Sequence, residues 1–545
     1  MKRFLASVLS MAMLLSILLL AGCGGNTETT PTGEKEKVET TTSKQQENKE
    51  TTSATEGTTE GTQGTTEGSG DTETTTEGSV ATEETTTEET EDTEDTQIVN
   101  DGYNRLIGYE DVDFGNKTFV IAGDDGESDG FNSCEEIYSE EADAISVAVR
   151  ERNLIMKTLY NCNIELHTSE NPYTAAMNDV TSNQHTIDFY NHQHGVASTA
   201  TSGNNYNLYT LGIDFTNDWW DQQYVETYTL RNASGADTLY SCIGDFSLIA
   251  YACTHTLIFN KDVYESSPIN DNVYELVKNK QWTMDKFMEM CKAAAHEASG
   301  NTELHTSEGD ILGWIRTGHA THGLHAASNL TIIGTHNKTL TFEAIENTAN
   351  WTTVIDKAIE IWSMPEGETL GYSSIPAAVA GGYTLFSSEI LNSSLRNLKD
   401  YENLRVGLLP YPMYSESQDN YAHYVDNHLY AYSVPISVSD IDEIGKFIEL
   451  YAYHSKYIVR AAWVDTYAYE YCSDPESAEM LDIILDTRTY DPGYLMFQVL
   501  EGDLSQMISS GQNNISKWAE RKAGAVTGAG GYIENHMNGL NDNEV

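Results

Sequence analysis

Positive charge is scarce in this 545-residue chain: 30 lysines and arginines face 84 acidic residues, a formal net charge of −54. That balance excludes a nucleic-acid partner and makes an anionic membrane surface or a phosphate-rich ligand a poor one. Two catalytic signatures are missing as well. There is no HExxH and no Walker loop, so zinc peptidase chemistry and nucleotide hydrolysis lack their usual sequence support. Cysteines number only seven, with no CxxC pair, which argues against a cysteine zinc site. Beyond residue 20 no apolar run approaches the roughly 20 residues that a bilayer-spanning helix requires.

What is present divides the chain. Lys2 and Arg3 precede an almost unbroken apolar run, Phe4 to Leu20, that ends in Leu20-Ala21-Gly22-Cys23. A charged start, an apolar middle and small residues at the end are the anatomy of a signal peptide over 1–22. The cysteine directly after Ala-Gly resembles the bacterial lipobox. That resemblance implies cleavage before Cys23, lipidation of its thiol, and a mature chain anchored by lipid on the extracellular face of the cell membrane. An uncleaved anchor is the alternative, and it too places the rest of the chain outside the cytoplasm.

After the lipidation site, residues 24–97 are almost entirely Thr, Glu, Gly, Ser, Gln and Asp, with 20 acidic residues, four basic ones and no aromatics. Such a segment cannot bury enough apolar surface to offset the entropy of ordering and is expected to be a disordered tether. As a flexible coil it would span about 45–50 Å, and like-charge repulsion extends it further.

Residues 98–545 read as the folded part. They hold all 8 Trp and all 32 Tyr and still carry 64 acidic against 24 basic residues. About 450 residues is too long for one core and implies two lobes or domains. Cys134, Cys162, Cys242, Cys253, Cys291 and Cys472 lie here. An exported compartment permits disulfides among them, but their wide spacing suits buried free thiols equally well.

The periodicity places strands at Lys117–Ala122, Asn163–His167 and Thr186–Tyr190, with helices at Ala144–Tyr160 and Pro172–Thr181 between them. This alternation predicts an α/β fold with a parallel sheet, whose ligands bind beyond the carboxyl ends of the strands. Further strands are expected at Thr238–Phe246, Thr254–Asn260 and Leu404–Leu409. Helices are expected at Trp282–Glu297, Trp351–Trp362, Ile441–Tyr453 and Glu476–Leu485.

Local phrases then carry more than periodicity. Thr256-Leu257-Ile258-Phe259-Asn260-Lys261-Asp262, Gln281-Trp282-Thr283-Met284-Asp285-Lys286-Phe287, Gly382-Tyr383-Thr384-Leu385-Phe386 and Arg405-Val406-Gly407-Leu408-Leu409-Pro410-Tyr411-Pro412 occur in that order. The stretch Asp474–Asp491 follows. This series resembles the extracellular solute-binding lipoproteins of ABC importers, the sugar-type family 1 in particular. The resemblance implies a two-lobed periplasmic-binding-protein-like fold of type II. Each lobe would be a mixed, mainly parallel sheet flanked by helices, with lobe 1 at about 110–250 and 425–455 and lobe 2 at about 251–412 and 456–545. Hinge crossings would fall near 247–254, 412–425 and 453–458. It further implies a monomer without cofactor or enzymatic activity that captures a small solute, a mono- or oligosaccharide foremost, and delivers it to permease subunits. The alternatives are a glycan-binding or sensory surface lipoprotein not coupled to transport, and a cell-surface hydrolase.

An interlobe sugar site needs aromatic faces for pyranose C–H surfaces and planar polar groups for hydroxyls. Asp124 and Asp125 after the first strand, and Asn191, His192 and His194 after the third, are the strand-end candidates. Trp219 and Trp220 cannot both enter one core from a strand, so at least one is expected on a loop surface or cleft; packing beneath a loop is preferred to a ligand role for the pair. Asp245 lies near the first crossing, where it either accepts sugar hydroxyls or pins a turn. Trp314, Arg316 and Glu389 are second-lobe candidates, and Tyr421 and His423 stand near the second crossing. Trp463, with Tyr467 four residues on, is a candidate after the third crossing, although a core stripe is the preferred reading of that pair. His319, His322 and His325 enrich one segment, but helical spacing rotates His325 away from the other two, and no metal site is expected.

Overall fold

The computed structural model describes residues 102–126, 131–193, 196–232, 234–472 and 474–527; Cys23, the tether and His194 lie outside them. Lys117–Asp124 (β1) opens the first sheet. The helix Ala144–Tyr160 follows, capped by Asp143, whose side chain accepts from the Ser146 N–H at 3.0 Å. Val149, Arg152, Met156 and Tyr160 recur on its buried side at the spacing of one helical face. Asn161 then turns left-handed and returns the chain into Cys162–Ser169 (β2), parallel to β1 throughout its length.

A second capped helix, Pro172–Ser182, leads to Phe189–His192 (β3), parallel to β1 on its other side. This strand starts later than the β-branched residues suggest. Thr186 is held back by Asp179, whose Oδ1 accepts both its N–H and its hydroxyl at 2.8 and 2.5 Å.

The second sheet comprises His255–Asn260 (β4), Leu312–Arg316 (β5), Gly367–Thr369 (β6), Thr384–Ile390 (β7) and Val406–Leu409 (β8), in the order β6-β5-β7-β4-β8. The β6, β5 and β7 strands are parallel, and β4 runs antiparallel to both β7 and β8. Then come His423–Tyr424 (β9), Ala431–Ser433 (β10) and Arg488–Thr489 (β11). The β10 strand completes the first sheet antiparallel to β3, giving the order β10-β3-β1-β2, and β9 pairs with β11. The architecture is thus α/β with two mixed sheets in two lobes. Parallel pairing predominates only in the first; the second is half antiparallel.

The motif residues have packing reasons. A Cβ at Gly407 would fall on the Phe259 ring and the Tyr274 hydroxyl, so β8 approaches β4 closely only with glycine there. The Trp282 indole is fully buried and donates to the Pro410 carbonyl at 2.9 Å, while Thr283 caps the helix Met284–Ala294. The expected strand Thr238–Phe246 does not form beyond Asp237–Thr238: Cys242 and Gly244 make only isolated bridges, to Tyr432 and Trp220, before the chain turns with the Ser247 N–H bonded back to the Gly244 carbonyl.

Each sheet has its own core. Phe119, Phe189, Phe246, Tyr432 and Phe447 belong to the first, and Leu257, Phe287, Trp314, Ile355 and Phe386 to the second. The short helix Leu248–Ala252 straddles them: Ile249 and Ala250 pack on the first core, Leu248 and Tyr251 on the second. A long helical run crosses again. It is α-helical over Ile441–His454, π-helical over Ser455–Arg460, α-helical over Ala461–Asp465 and π-helical over Thr466–Glu470. Tyr453 packs on the first core and Val459 on the second. Tyr490, Tyr494 and Leu495 then return to the first core, although the expected boundary assigned everything after 456 to the second lobe. No helix among the described residues is long and apolar enough to cross a membrane.

Candidate functional site

Register decides which side chains reach the seam between the lobes. In the second sheet, Arg316 pairs with Ser388 and Ile390 pairs with His255, so the ends of β5 and β7 and the start of β4 share one edge. In the first sheet the end of β3 lies beside the start of β10, His192 opposite Ala431. The two edges meet where His255 Nε2 lies 3.3 Å from Asp426 Oδ2.

Beside this meeting point is a cavity of about 700 Å³ walled by both lobes. Phe131, Asn132, Glu136 and Ile145 stand on one side, Asn392, Arg396, Trp463 and Tyr471 on the other, and the helix Leu248–Ala252 lines it between them. Trp463 stacks on Tyr467 and lies 5.3 Å from the Tyr251 ring. Glu136 is buried; it accepts from the Tyr432 hydroxyl at 2.8 Å and from the Ile249 N–H. Burial pushes its carboxyl up to about 8, against the opposing effects of these hydrogen bonds and of Arg152. Arg152 lies over the Tyr451 ring at 4.0 Å and donates to Ser455 Oγ at 3.0 Å, tying the first lobe to the π-helical crossing.

The strand-end candidates in the first lobe are mostly internal. Asp124 is buried and closes its turn by accepting the Gly126 N–H at 2.9 Å, while Asp125 is half-buried beside it. Asn191 is fully buried and donates to Ser133 Oγ and the Tyr432 hydroxyl at 2.8 and 3.2 Å. His192 is buried 3.0 Å from Ser433 Oγ.

Trp219 and Trp220 both enter the first core, contrary to the expectation that one would face a cleft. They lie on a turn instead of a strand. The indole of Trp219 reaches Glu449 Oε1 at 2.9 Å, and that of Trp220 packs on Phe215 and Phe246 at 5.0 and 6.0 Å.

In the second lobe Trp314 is fully buried and donates to Ser388 Oγ at 3.0 Å. Arg316 points inward, held between Trp314 and Trp362 at 4.5 and 4.3 Å, and burial lowers its guanidinium to about 10. Tyr421 donates to the Val277 carbonyl at 2.9 Å. His423 accepts the Tyr411 N–H at 3.1 Å and lies 2.7 Å from Thr487 Oγ1, and burial pushes it down to about 3. These four are packing residues.

Asp245 stands near the first crossing with Tyr251 and Arg460 as partners, the latter at 3.4 Å, and burial raises its carboxyl to about 6. Trp463 is both a core residue and part of the cavity wall. Glu389 is buried at the end of β7, where burial and then the Asp426 charge push it up to about 7.

Glu389 belongs to a cluster that the sequence hinted at only through His319, His322 and His325. His322 Nε2 lies 3.0 Å from Glu501 Oε2, and His325 Nε2 lies 3.3 Å from Glu501 Oε1. Contrary to expectation, His325 therefore shares a partner with His322, because a carboxylate from a distant helix spans both. His322 Nδ1 lies 3.2 Å from the Tyr494 hydroxyl, which donates to Asp426 Oδ2 at 3.2 Å. Asp426 also accepts from His428, whose ring stacks on Phe131 at the cavity wall.

No family model and no curated protein matches the chain. Among solved structures it is similar to a sugar transporter from Rhizobium etli in an open conformation, at 12% identity and a TM-score of 0.49, over 78% of this chain and 100% of that one. A cyclo/maltodextrin-binding protein complexed with maltotetraose matches at 11% identity and a TM-score of 0.48, over 74% of this chain and 97% of that one. A family 1 extracellular solute-binding protein from Bifidobacterium longum subsp. infantis matches at 14% identity and a TM-score of 0.47, over 74% and 97%.

Proposed function

We propose that the chain captures a solute between its two lobes, a mono- or oligosaccharide foremost. On this reading it delivers the solute to the permease of an ABC importer while held at the extracellular face of the membrane by lipid on Cys23. One observation carries the capture reading: the cavity of about 700 Å³ is walled by both lobes and mixes aromatic rings with planar polar groups. Pyranose C–H faces suit rings such as Phe131 and Tyr471, and sugar hydroxyls suit Asn132, Asn392 and Arg396. The chain passes between the lobes at a short helix and at a π-helical turn, elements that can absorb a closing rotation in a few dihedrals. Recognition is the whole of the proposed activity; no bond is made or broken.

The test is titration of the mature domain with a saccharide panel, followed by calorimetry and tryptophan fluorescence. One sugar class is expected to bind with a spectral change and thermal stabilisation. Failure of every saccharide to bind or stabilise would sink the carbohydrate reading.

A further inference from the structure

We propose that His255, His322 and Asp426 bind a divalent transition-metal cation, zinc foremost, at the seam between the lobes. The site goes beyond the saccharide reading and does not depend on it. One ligand atom from each residue lies within 4.8 Å of the others, and all three residues are buried. Two imidazoles and one carboxylate are a donor set suited to zinc and its neighbours. The 3.3 Å between His255 Nε2 and Asp426 Oδ2 matches adjacent ligands around a tetrahedral ion with bonds of about 2.0–2.1 Å.

The surroundings orient these atoms. His322 commits Nε2 to Glu501, which aims Nδ1 at the cluster; a carboxylate behind a histidine is the usual outer support of a metal-binding imidazole. Glu501 is itself fixed by His325 and by the Ser505 hydroxyl at 2.5 Å. Asp426 turns Oδ1 to the His428 N–H at 3.1 Å and to the His428 ring, which leaves Oδ2 facing His255 and Tyr494.

Charge points the same way. Asp426, Glu389 and Glu501 are all buried here, and among the described residues no lysine or arginine pairs with any of them. Glu389 Oε1 and His255 Nδ1 have no hydrogen-bond partner among the described residues. Among the described residues the ion-pair partners of Asp426 and Glu501 are histidines alone, and a cation would take over the compensation of their charge. His319 is exposed, with its ring 5.5 Å from the His322 ring. Because Val425 belongs to the first core while Leu257 and Leu324 belong to the second, a bound ion would join the two lobes.

The test uses the full chain stripped with a chelator, then titrated with cobalt(II) and zinc. One equivalent of cobalt with tetrahedral visible absorption is expected, displaced by zinc, with a rise in Tm. His322→Gln and Asp426→Asn should abolish that spectrum, and Glu501→Gln should weaken binding about 10–100-fold. X-ray absorption on the zinc-loaded wild type should show two imidazoles, a readout that stands even where a variant fails to fold. No tetrahedral cobalt spectrum, an oxygen-only zinc shell, or a spectrum unchanged in folded His322→Gln and Asp426→Asn proteins would each overturn the proposal. Metal binding without saccharide binding would remove the sugar reading and leave this one intact.

Discussion

Trp463 stacks on Tyr467 with ring centroids 4.1 Å apart and planes 19° from parallel. The run turns π-helical at Thr466–Glu470, and Tyr471 follows with its ring 5.0 Å from Tyr467 at 69°. A four-residue spacing that reads as a core stripe thus also forms one wall of the interlobe cavity. The buried stack anchors the wall, and its less buried neighbours are the ones that would meet a solute on the proposed capture reading.

That division predicts different outcomes for neighbouring substitutions. Arg396 is exposed and Tyr471 half-buried. Arg396→Ala is expected to weaken saccharide binding roughly 10-fold or more, as loss of a charge-assisted hydrogen bond does, with little change in Tm. Trp463→Ala is expected to cost about 3–5 kcal/mol of stability. Calorimetry and urea unfolding of the two variants separate these effects.

Trp219→Phe is expected to destabilise the fold by about 1–3 kcal/mol, because buried Glu449 loses the indole donor. Saccharide affinity of the folded fraction should stay at the wild-type level. Wild-type stability with lost affinity would instead return Trp219 to the ligand site.

Stability should peak in the mildly acidic range. Burial raises the carboxyls of Glu136 to about 8 and of Glu449 and Asp491 to about 7. The folded state keeps these protons where the unfolded chain has released them, so their contribution is complete below the ordinary carboxylate range and is lost as pH rises to about 8. Burial lowers His423 to about 3 and His454 to about 4. There the unfolded chain binds protons first, so stability falls as pH drops below the ordinary imidazole value. Tm measured from pH 4 to 9 should show both limbs, and Glu136→Gln should flatten the alkaline one; a monotonic rise to pH 9 would contradict this.

The six described cysteines are all buried, with no disulfide among the described residues. Reductant should leave Tm unchanged, and a thiol reagent should find almost none in the folded domain and all six after unfolding. Fewer than six would mean that a disulfide forms.

Much of the fold was legible because its signals are local. The helix Ala144–Tyr160 has its cap at Asp143 and an apolar spacing that needs no partner to be read, and Thr283 announces the helix Met284–Ala294 in the same way. The strand start at Phe189 was less legible, since the hydrogen bonds from Thr186 to Asp179 decide it. The candidate site was legible only in part. Trp463 lines the cavity and Glu389 reaches the seam, but Trp219, Trp220, Trp314 and Arg316 pack inside the cores, against partners that periodicity cannot name.

By itself the sequence determined the division into an apolar amino-terminal run, an acidic tract and an aromatic-rich region, the α/β class, and most of the helices, because composition and periodicity act over a few neighbours along the chain. Only the tertiary structure decided which polar residues become a site. His255, His322, Asp426 and Glu501 come from four separate segments, and the hydrogen bonds and charges that give them a shared role exist only once two lobes have closed on one seam.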